Sequence, residues 1–244
     1  MEHVLQLYQE ESCLLDALAE FVAAGLRLEE GVLIVGSTPR WDLLIDRLQK
    51  SGVDARAHAS RGQLKLYGAH VVLSNCATSG GLDRHKLSRL LGSALELARM
   101  RYERVRVFSE LTDTRWRDGD RAGAAAIERV WKPLLGVHDF TLLCACPIDS
   151  LEGDTYDGTL QALCNAHTHV SPAHDEAGFE DAVNGAVAEV LDTQLVRMLE
   201  ALSAAYRPSA HMPPGQAMLF WLTDHMPRTA EKVMRRARAR WSEH

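Results

Sequence analysis

The chain has 244 residues, of which 46% are apolar, 25% charged and 6% aromatic. At roughly 100–200 residues per domain this predicts one large domain, or one domain with an appendage, and excludes global disorder. A net charge of -6 and a pI near 6.0 argue against a dedicated nucleic-acid binder, which needs a basic face to neutralise phosphates.

No stretch approaches the roughly 18–20 apolar residues of a spanning helix. The longest candidate, Phe140 to Ile148, is short and contains Pro147. The start, Met1-Glu2-His3, lacks the basic, then apolar, then small-residue layout of a signal peptide. The five cysteines (Cys13, Cys76, Cys144, Cys146, Cys164) are odd in number and include no CxxC pair. The expected setting is a reducing cytoplasm with free thiols.

The chain opens on His3 to Tyr8, a short apolar run that reads as a strand. A helix follows with Leu14, Leu18, Phe21 and Gly25 on one face, and Gly25 as its stop. Gly31 to Gly36 is a continuous β-branched-rich run, the pattern of a strand buried on both faces. Ser37 or Thr38 then caps a helix with Pro39 in its first turn and Trp41, Leu44, Ile45 and Leu48 inward. Gly52 ends it.

Gln63 to Tyr67 reads as a strand. Asp83 caps a long helix reaching about Tyr102, with Leu87, Leu90, Leu91, Ala94, Leu95 and Ala98 inward. Val105 to Ser109 is a strand, about Asp118 to Leu135 a helix, and Phe140 to Cys146 a fifth strand. A short helix through Leu160 to Cys164 closes the alternation. Strands and helices that alternate in this way predict an α/β fold, a mostly parallel sheet with helices on both faces.

After Pro172 the pattern becomes helical. Phe179 to Tyr206 reads as one long helix with Val187, Leu191, Leu195, Met198, Leu202 and Ala205 as its stripe. Pro208 and Pro213-Pro214-Gly215 mark a hinge, followed by helices near Gln216–His225 and Arg228–Trp241. The last carries six basic residues and one acid between Arg228 and Arg240, opposite Ala230, Val233, Met234, Ala237 and Trp241. The expected division is residues 1–174 as the α/β domain and 175–244 as a helical extension for dimerisation or partner binding.

Ligands of open parallel sheets bind beyond the carboxyl ends of the strands. There the turn Gly36-Ser37-Thr38-Pro39-Arg40 lacks the lysine and second glycine of a phosphate-binding loop, which argues against Walker-type ATP hydrolysis. Ser37 and Thr38 could still hold an anion at a helix start. Glu110 follows the 105–109 strand and could serve as base, metal ligand or hydrogen-bond acceptor. Arg106 has the same strand parity, so a structural Arg–Glu arrangement is the competing interpretation. Glu128 lies one turn from Trp131 on one helix face. Trp131 reads as core, and Glu128 at the core edge needs a partner, for which an arginine is the natural candidate. His167 and His169 could join Glu110 in a two-histidine, one-carboxylate metal site, a weak signal beside one buried backbone-bonded histidine and one near a pocket. Cys144 and Cys146 share a strand face and read as inert small hydrophobes.

The order His3-Val4…Leu7-Tyr8, Gly25-Leu26, Gly31-Val32-Leu33-Ile34-Val35 and Gly62-Gln63-Leu64 resembles a known family. Arg106-Val107-Phe108-Ser109-Glu110, Ile127-Glu128…Trp131, Leu142-Leu143-Cys144-Ala145-Cys146-Pro147 and Ala166-His167-Thr168-His169-Val170 continue the match. The pattern resembles the MEDS domain, the methanogen/methylotroph sensory domain typified by the dichloromethane-responsive regulator DcmR, over about residues 3–172. The resemblance implies a RecA/KaiC-like α/β domain without Walker motifs. It also implies a sensory input role with small organic ligands. The family's usual Gly-Glu-Met stands here as Ser109-Glu110-Leu111, and its usual Cys-Ala-Tyr-Pro as Cys144-Ala145-Cys146-Pro147, which removes a tyrosine near the expected pocket.

The leading expectation is a cytoplasmic, non-enzymatic sensor that binds a small organic ligand or a signalling protein. The expected ligand contacts are Glu110, His167, His169, Ser37, Thr38, Arg106 and Trp131, and no cofactor is specified. One alternative is a metal- or carboxylate-assisted hydrolase or nucleotide-using enzyme built on Glu110 with His167 and His169. Another is an interaction module acting through the C-terminal helices. A homo-oligomer is expected, with no membrane contact and nucleic acid only through the Arg228–Arg240 helix.

Overall fold

The computed structural model describes residues 2–156, 158–171, 176–206 and 211–241. Its elements begin β1 (His3–Tyr8), α1 (Glu11–Arg27), β2 (Gly31–Gly36), α2 (Thr38–Lys50), α3 (Ala55–Ser60), β3 (Leu64–Gly68) and α4 (Ala69–Asn75). Two-residue strands β4 (Ala77–Thr78) and β5 (Gly81–Leu82) form a small antiparallel pair. Then come α5 (Arg84–Arg99), β6 (Val105–Ser109), α6 (Leu111–Arg117), α7 (Arg121–Val137) and β7 (Phe140–Pro147). The chain continues with α8 (Gly158–Ala166), β8 (His169–Ser171), α9 (Glu176–Val190), α10 (Thr193–Tyr206), α11 (Pro214–His225) and α12 (Pro227–Trp241). The fold is α/β, a parallel sheet flanked by helices with a helical C-terminal segment. The chain forms two compact units, Met1–Val4 with Glu10–Cys146 and Leu5–Gln9 with Pro147–His244.

In the first unit the strand order is β3-β2-β6-β7. β2 pairs in parallel with β3 and β6, and β6 with β7, so Ile34 lies between Leu66 and Phe108. Every residue of β2 is buried, as its unbroken apolar run requires. Alternate side chains serve the two faces. Leu33 and Val35 meet Leu91 and Leu95 of α5 and Trp131 of α7 around a small apolar cavity. Val32 faces the other way, toward Gly25 of α1. Fully burying one such side chain stabilises the fold by about 1.5–3 kcal/mol.

Gly25 is not the helix stop. α1 runs on to Arg27, and Gly25 is buried inside it where a Cβ would lie 2.8 Å from Arg106 Cδ. The turn is instead made by Glu29 at φ 58, a left-handed conformation uncommon for a side-chain-bearing residue. The expected helix from Asp118 is preceded by a separate one, α6. Gly119 at φ 76 breaks the path, and the Asp120 carboxylate accepts from Gly123 N at 2.8 Å to start α7. Asp83 caps α5 as expected, accepting from Lys86 N at 2.9 Å.

In the second unit the Leu5–Tyr8 part of β1 lies next to β8. Tyr156 packs edge-on against Phe220 at 4.9 Å, donates to Ser150 O at 2.6 Å, and accepts from Gln216 Nε2 at 2.9 Å. α12 buries Ala230, Val233, Met234 and Ala237, the face expected. The single helix expected over 179–206 is two. Asp192 interrupts it, its carboxylate accepting from Gln194 N and Leu195 N at 3.0 and 2.9 Å. That break rotates the stripe: Leu199 and Ser203 are buried, while Met198 and Leu202 are exposed. The proposed hinge residue Pro208 lies outside the described residues. Among the described residues no helix is long and apolar enough to cross a membrane.

Candidate functional site

At the carboxyl ends of β2 and β6, in the first unit, lies an open cleft of about 460 Å³. Its construction starts at Gly36, where β2 ends. Ser37 is extended at the N-cap of α2, and Pro39 in the first turn starts the helix without needing an N–H donor. One residue later Arg40 turns inward and is buried.

Three carboxylates meet the Arg40 guanidinium. Nε and Nη2 donate to the two oxygens of Glu11 at 2.6 and 3.0 Å. Nη1 lies 2.8 Å from Glu110 Oε2 and 3.1 Å from Asp113 Oδ2. Arg117 adds contacts of 3.0 Å to Glu11 and 3.1 Å to Asp113. The planar fork of arginine suits this division among several acceptors. Ser37, Thr114 and Asp118 line the rest of the cleft. Its carboxylates, Glu11, Glu110, Asp113 and Asp118, outnumber its two guanidinium groups.

Glu110 is fixed by its backbone, its N–H donating to Val35 O at 2.9 Å and its C=O accepting from Thr114 N at 2.9 Å. Its side chain lies over Gly36, where a Cβ would come within 3.2 Å of Oε2. Burial alone would push the Glu11 carboxyl up. The hydrogen bond and charge of Arg40, joined by Arg117, outweigh that and hold it below its ordinary value.

The expected site residues separate in space. Glu110 and Ser37 line the cleft, whereas Thr38 is exposed at the start of α2 and outside its lining. Arg106 lies near the start of β6, at the opposite end of the strand from Glu110. It pairs with the buried Glu30 and places its guanidinium 5.2 Å from the Phe21 ring. The anticipated pairing of Arg106 with Glu110 therefore does not form: Arg106 meets Glu30, and Glu110 meets Arg40. Trp131 is core, 6.1 Å from the Phe140 ring. His167 and His169 belong to the second unit. His167 is buried with Nδ1 donating to Leu163 O at 2.7 Å, and His169 stacks on His211 at 3.8 Å. Arg40, Glu11 and Asp113 form an acid-and-arginine pattern spread over three segments with no local signature in the sequence, although Arg40 stands in the turn that follows the Gly31–Gly36 strand.

Glu128 is buried and meets a threonine, a histidine and a cysteine. Thr112 Oγ1 donates to Oε1 at 2.5 Å, while Oε2 faces His3 Nε2 at 3.3 Å and Cys144 Sγ at 3.9 Å. Burial, and then the charge of Glu128, push the Cys144 thiol well above its ordinary value. The cationic run of α12 is partly compensated, Arg238 meeting Asp149 at 2.7 Å and Arg240 meeting Glu189 at 2.5 Å.

No curated protein and no solved structure matches the chain. Residues 2–168 match the family model described as the MEthanogen/methylotroph, DcmR Sensory domain. With most of its length inside that match, the chain belongs to the MEDS family of sensory domains.

Proposed function

We propose that the protein is a non-enzymatic sensor whose cleft beside Arg40 and Glu110 takes a small organic molecule with a cationic or hydrogen-bond-donating head. The observation that carries this is the surplus of carboxylates around one buried arginine at the strand ends. Carboxylates beside Gly36 repel a phosphate where a phosphate-binding loop would attract one. The excess favours a ligand that brings positive charge or donors.

A ligand shifts a conformational equilibrium only by binding its two states unequally. Arg40 on α2 ties together Glu11 of α1, Glu110 after β6 and Asp113 of α6. A donor that takes a Glu110 or Asp113 oxygen loosens those ties and changes how α1, α2 and α6 hold one another. That change is the signal passed to a regulatory output.

The test is calorimetric titration of the full chain with small organic amines, repeated on Glu110→Gln. Binding that weakens at least tenfold in the variant supports the proposal. Equal affinity in both proteins places the ligand elsewhere and rejects it.

A further inference from the structure

We propose that His3, Glu128 and Cys144 form a Zn²⁺-class metal site in the first unit, remote in chemistry from the Arg40 cleft. The three residues come from the start of β1, from α7 and from β7, and all are buried. Their donor atoms form a compact triangle. His3 Nε2 is 3.3 Å from Glu128 Oε2 and 3.6 Å from Cys144 Sγ, and Sγ is 3.9 Å from Oε2.

Those edges decide between two interpretations. A charge-assisted N–H···O bond closes to about 2.7–2.9 Å, and the imidazole–carboxylate contact is longer than that. Ligands on a tetrahedral Zn²⁺ at about 2.0–2.3 Å sit roughly 3.3–3.8 Å from one another. A triangle with the observed edges has its centre about 2.1 Å from every corner, so an ion about 0.75 Å out of its plane, as a tetrahedral centre is, lies about 2.2 Å from all three, close to Zn–N, Zn–O and Zn–S bond lengths. The three atoms thus lie within about 0.1 Å of the separations of three corners of a metal tetrahedron.

The chemistry fits as well. Thiolate, imidazole and carboxylate together suit Zn²⁺ rather than Mg²⁺ or Ca²⁺, which take oxygen alone. On binding, the Cys144 S–H bond breaks, the S–metal bond forms and one proton leaves to solvent. The dication then balances the thiolate and the Glu128 carboxylate, so no net charge is buried. Thr112 Oγ1, donating to Glu128 Oε1 at 2.5 Å, holds the other carboxylate oxygen and aims Oε2 at the site. Such a supporting bond is worth about 10–100-fold in metal affinity.

The experiment uses the full chain, stripped with a chelator and titrated with Co²⁺ as the probe. Expected are one equivalent bound, a thiolate-to-cobalt charge-transfer band, about one proton released, and displacement by Zn²⁺. Cys144→Ser loses the band while Cys13→Ser keeps it. Thr112→Val keeps the band with affinity down about 10–100-fold, which tests the site even if Cys144→Ser fails to fold. A folded wild-type chain that takes up no stoichiometric Co²⁺ overturns the proposal. So does a thiolate band that survives in Cys144→Ser, or one that disappears in Cys13→Ser.

Discussion

The Arg40 guanidinium meets the Glu110 carboxylate at 2.8 Å, and both side chains are almost wholly buried. Arg40 lies in the first turn after β2 and Glu110 directly after β6, so the pair joins the carboxyl ends of two neighbouring parallel strands. Two further carboxylates share the same guanidinium. The cluster is therefore sensitive to the loss of its one central cation.

Arg40→Met should destabilise the protein by about 3–5 kcal/mol, the range for removing one partner of a buried charge pair. Chemical denaturation followed by circular dichroism measures it. An unchanged midpoint would mean that the guanidinium does not hold the cluster together.

Acid should weaken the same cluster. The Glu11 carboxyl is held below its ordinary value in the folded protein, so the folded state binds its proton less readily than the unfolded chain does. Its contribution is fully present above the unfolded value near 4.5 and is lost as the pH falls through the folded value. Because Glu11 is partly exposed, solvent screening keeps the effect small. Glu11→Gln should reduce the dependence of stability on pH below about 4.5. An identical acid profile in the variant would contradict the ion pair.

Gly36→Ala tests how closely Glu110 approaches the strand end. The added Cβ would lie 3.2 Å from Glu110 Oε2 and 3.3 Å from Ile34 Cγ2. The carboxylate must retreat by a few tenths of an ångström, and overpacking of this kind costs about 1–3 kcal/mol. The expected outcome is a modest loss of thermal stability with amine binding weakened at least tenfold. Wild-type affinity in a folded Gly36→Ala protein would show that the cleft does not depend on the position of Glu110.

Thiol accessibility gives an independent check on packing. Cys76, Cys144, Cys146 and Cys164 are buried and Cys13 is half-buried. Burial raises the Cys76 and Cys144 thiols and takes Cys164 to about 12. Reaction needs the thiolate and access to it. A thiol-specific chromogenic reagent at neutral pH should therefore label Cys13 first, and the other four only on unfolding. Rapid labelling of more than one thiol in native protein would contradict this.

Much of the fold was legible because its causes are local. The unbroken run of β2, Pro39 after it and Asp83 before α5 each fix their element within a few residues. α6 was not legible, since seven residues show too little periodicity to separate a helix from a loop. The apolar period of residues 179–206 hid the Asp192 break, because a capping carboxylate competes with helix continuation without disturbing the pattern around it. Glu110 was found at the site because strand ends can be read from a sequence. Its partner Arg40, and the Glu11 and Asp113 carboxylates that share that guanidinium, come from three helices and become neighbours only through packing. The need of Glu128 for a partner is legible from its place beside Trp131, but the histidine that meets it stands at the start of the chain.

The most direct measurement is a thermal-shift titration of wild-type protein and Glu110→Gln with matched panels of small organic amines and small organic phosphates. A bound ligand raises stability by RT ln(1 + [L]/Kd). The expected result is a concentration-dependent rise in melting temperature with amines, absent with phosphates and needing at least tenfold more amine in Glu110→Gln. Stabilisation by phosphates but not amines, or an amine shift equal in both proteins, would contradict a carboxylate-lined sensory cleft at Arg40 and Glu110.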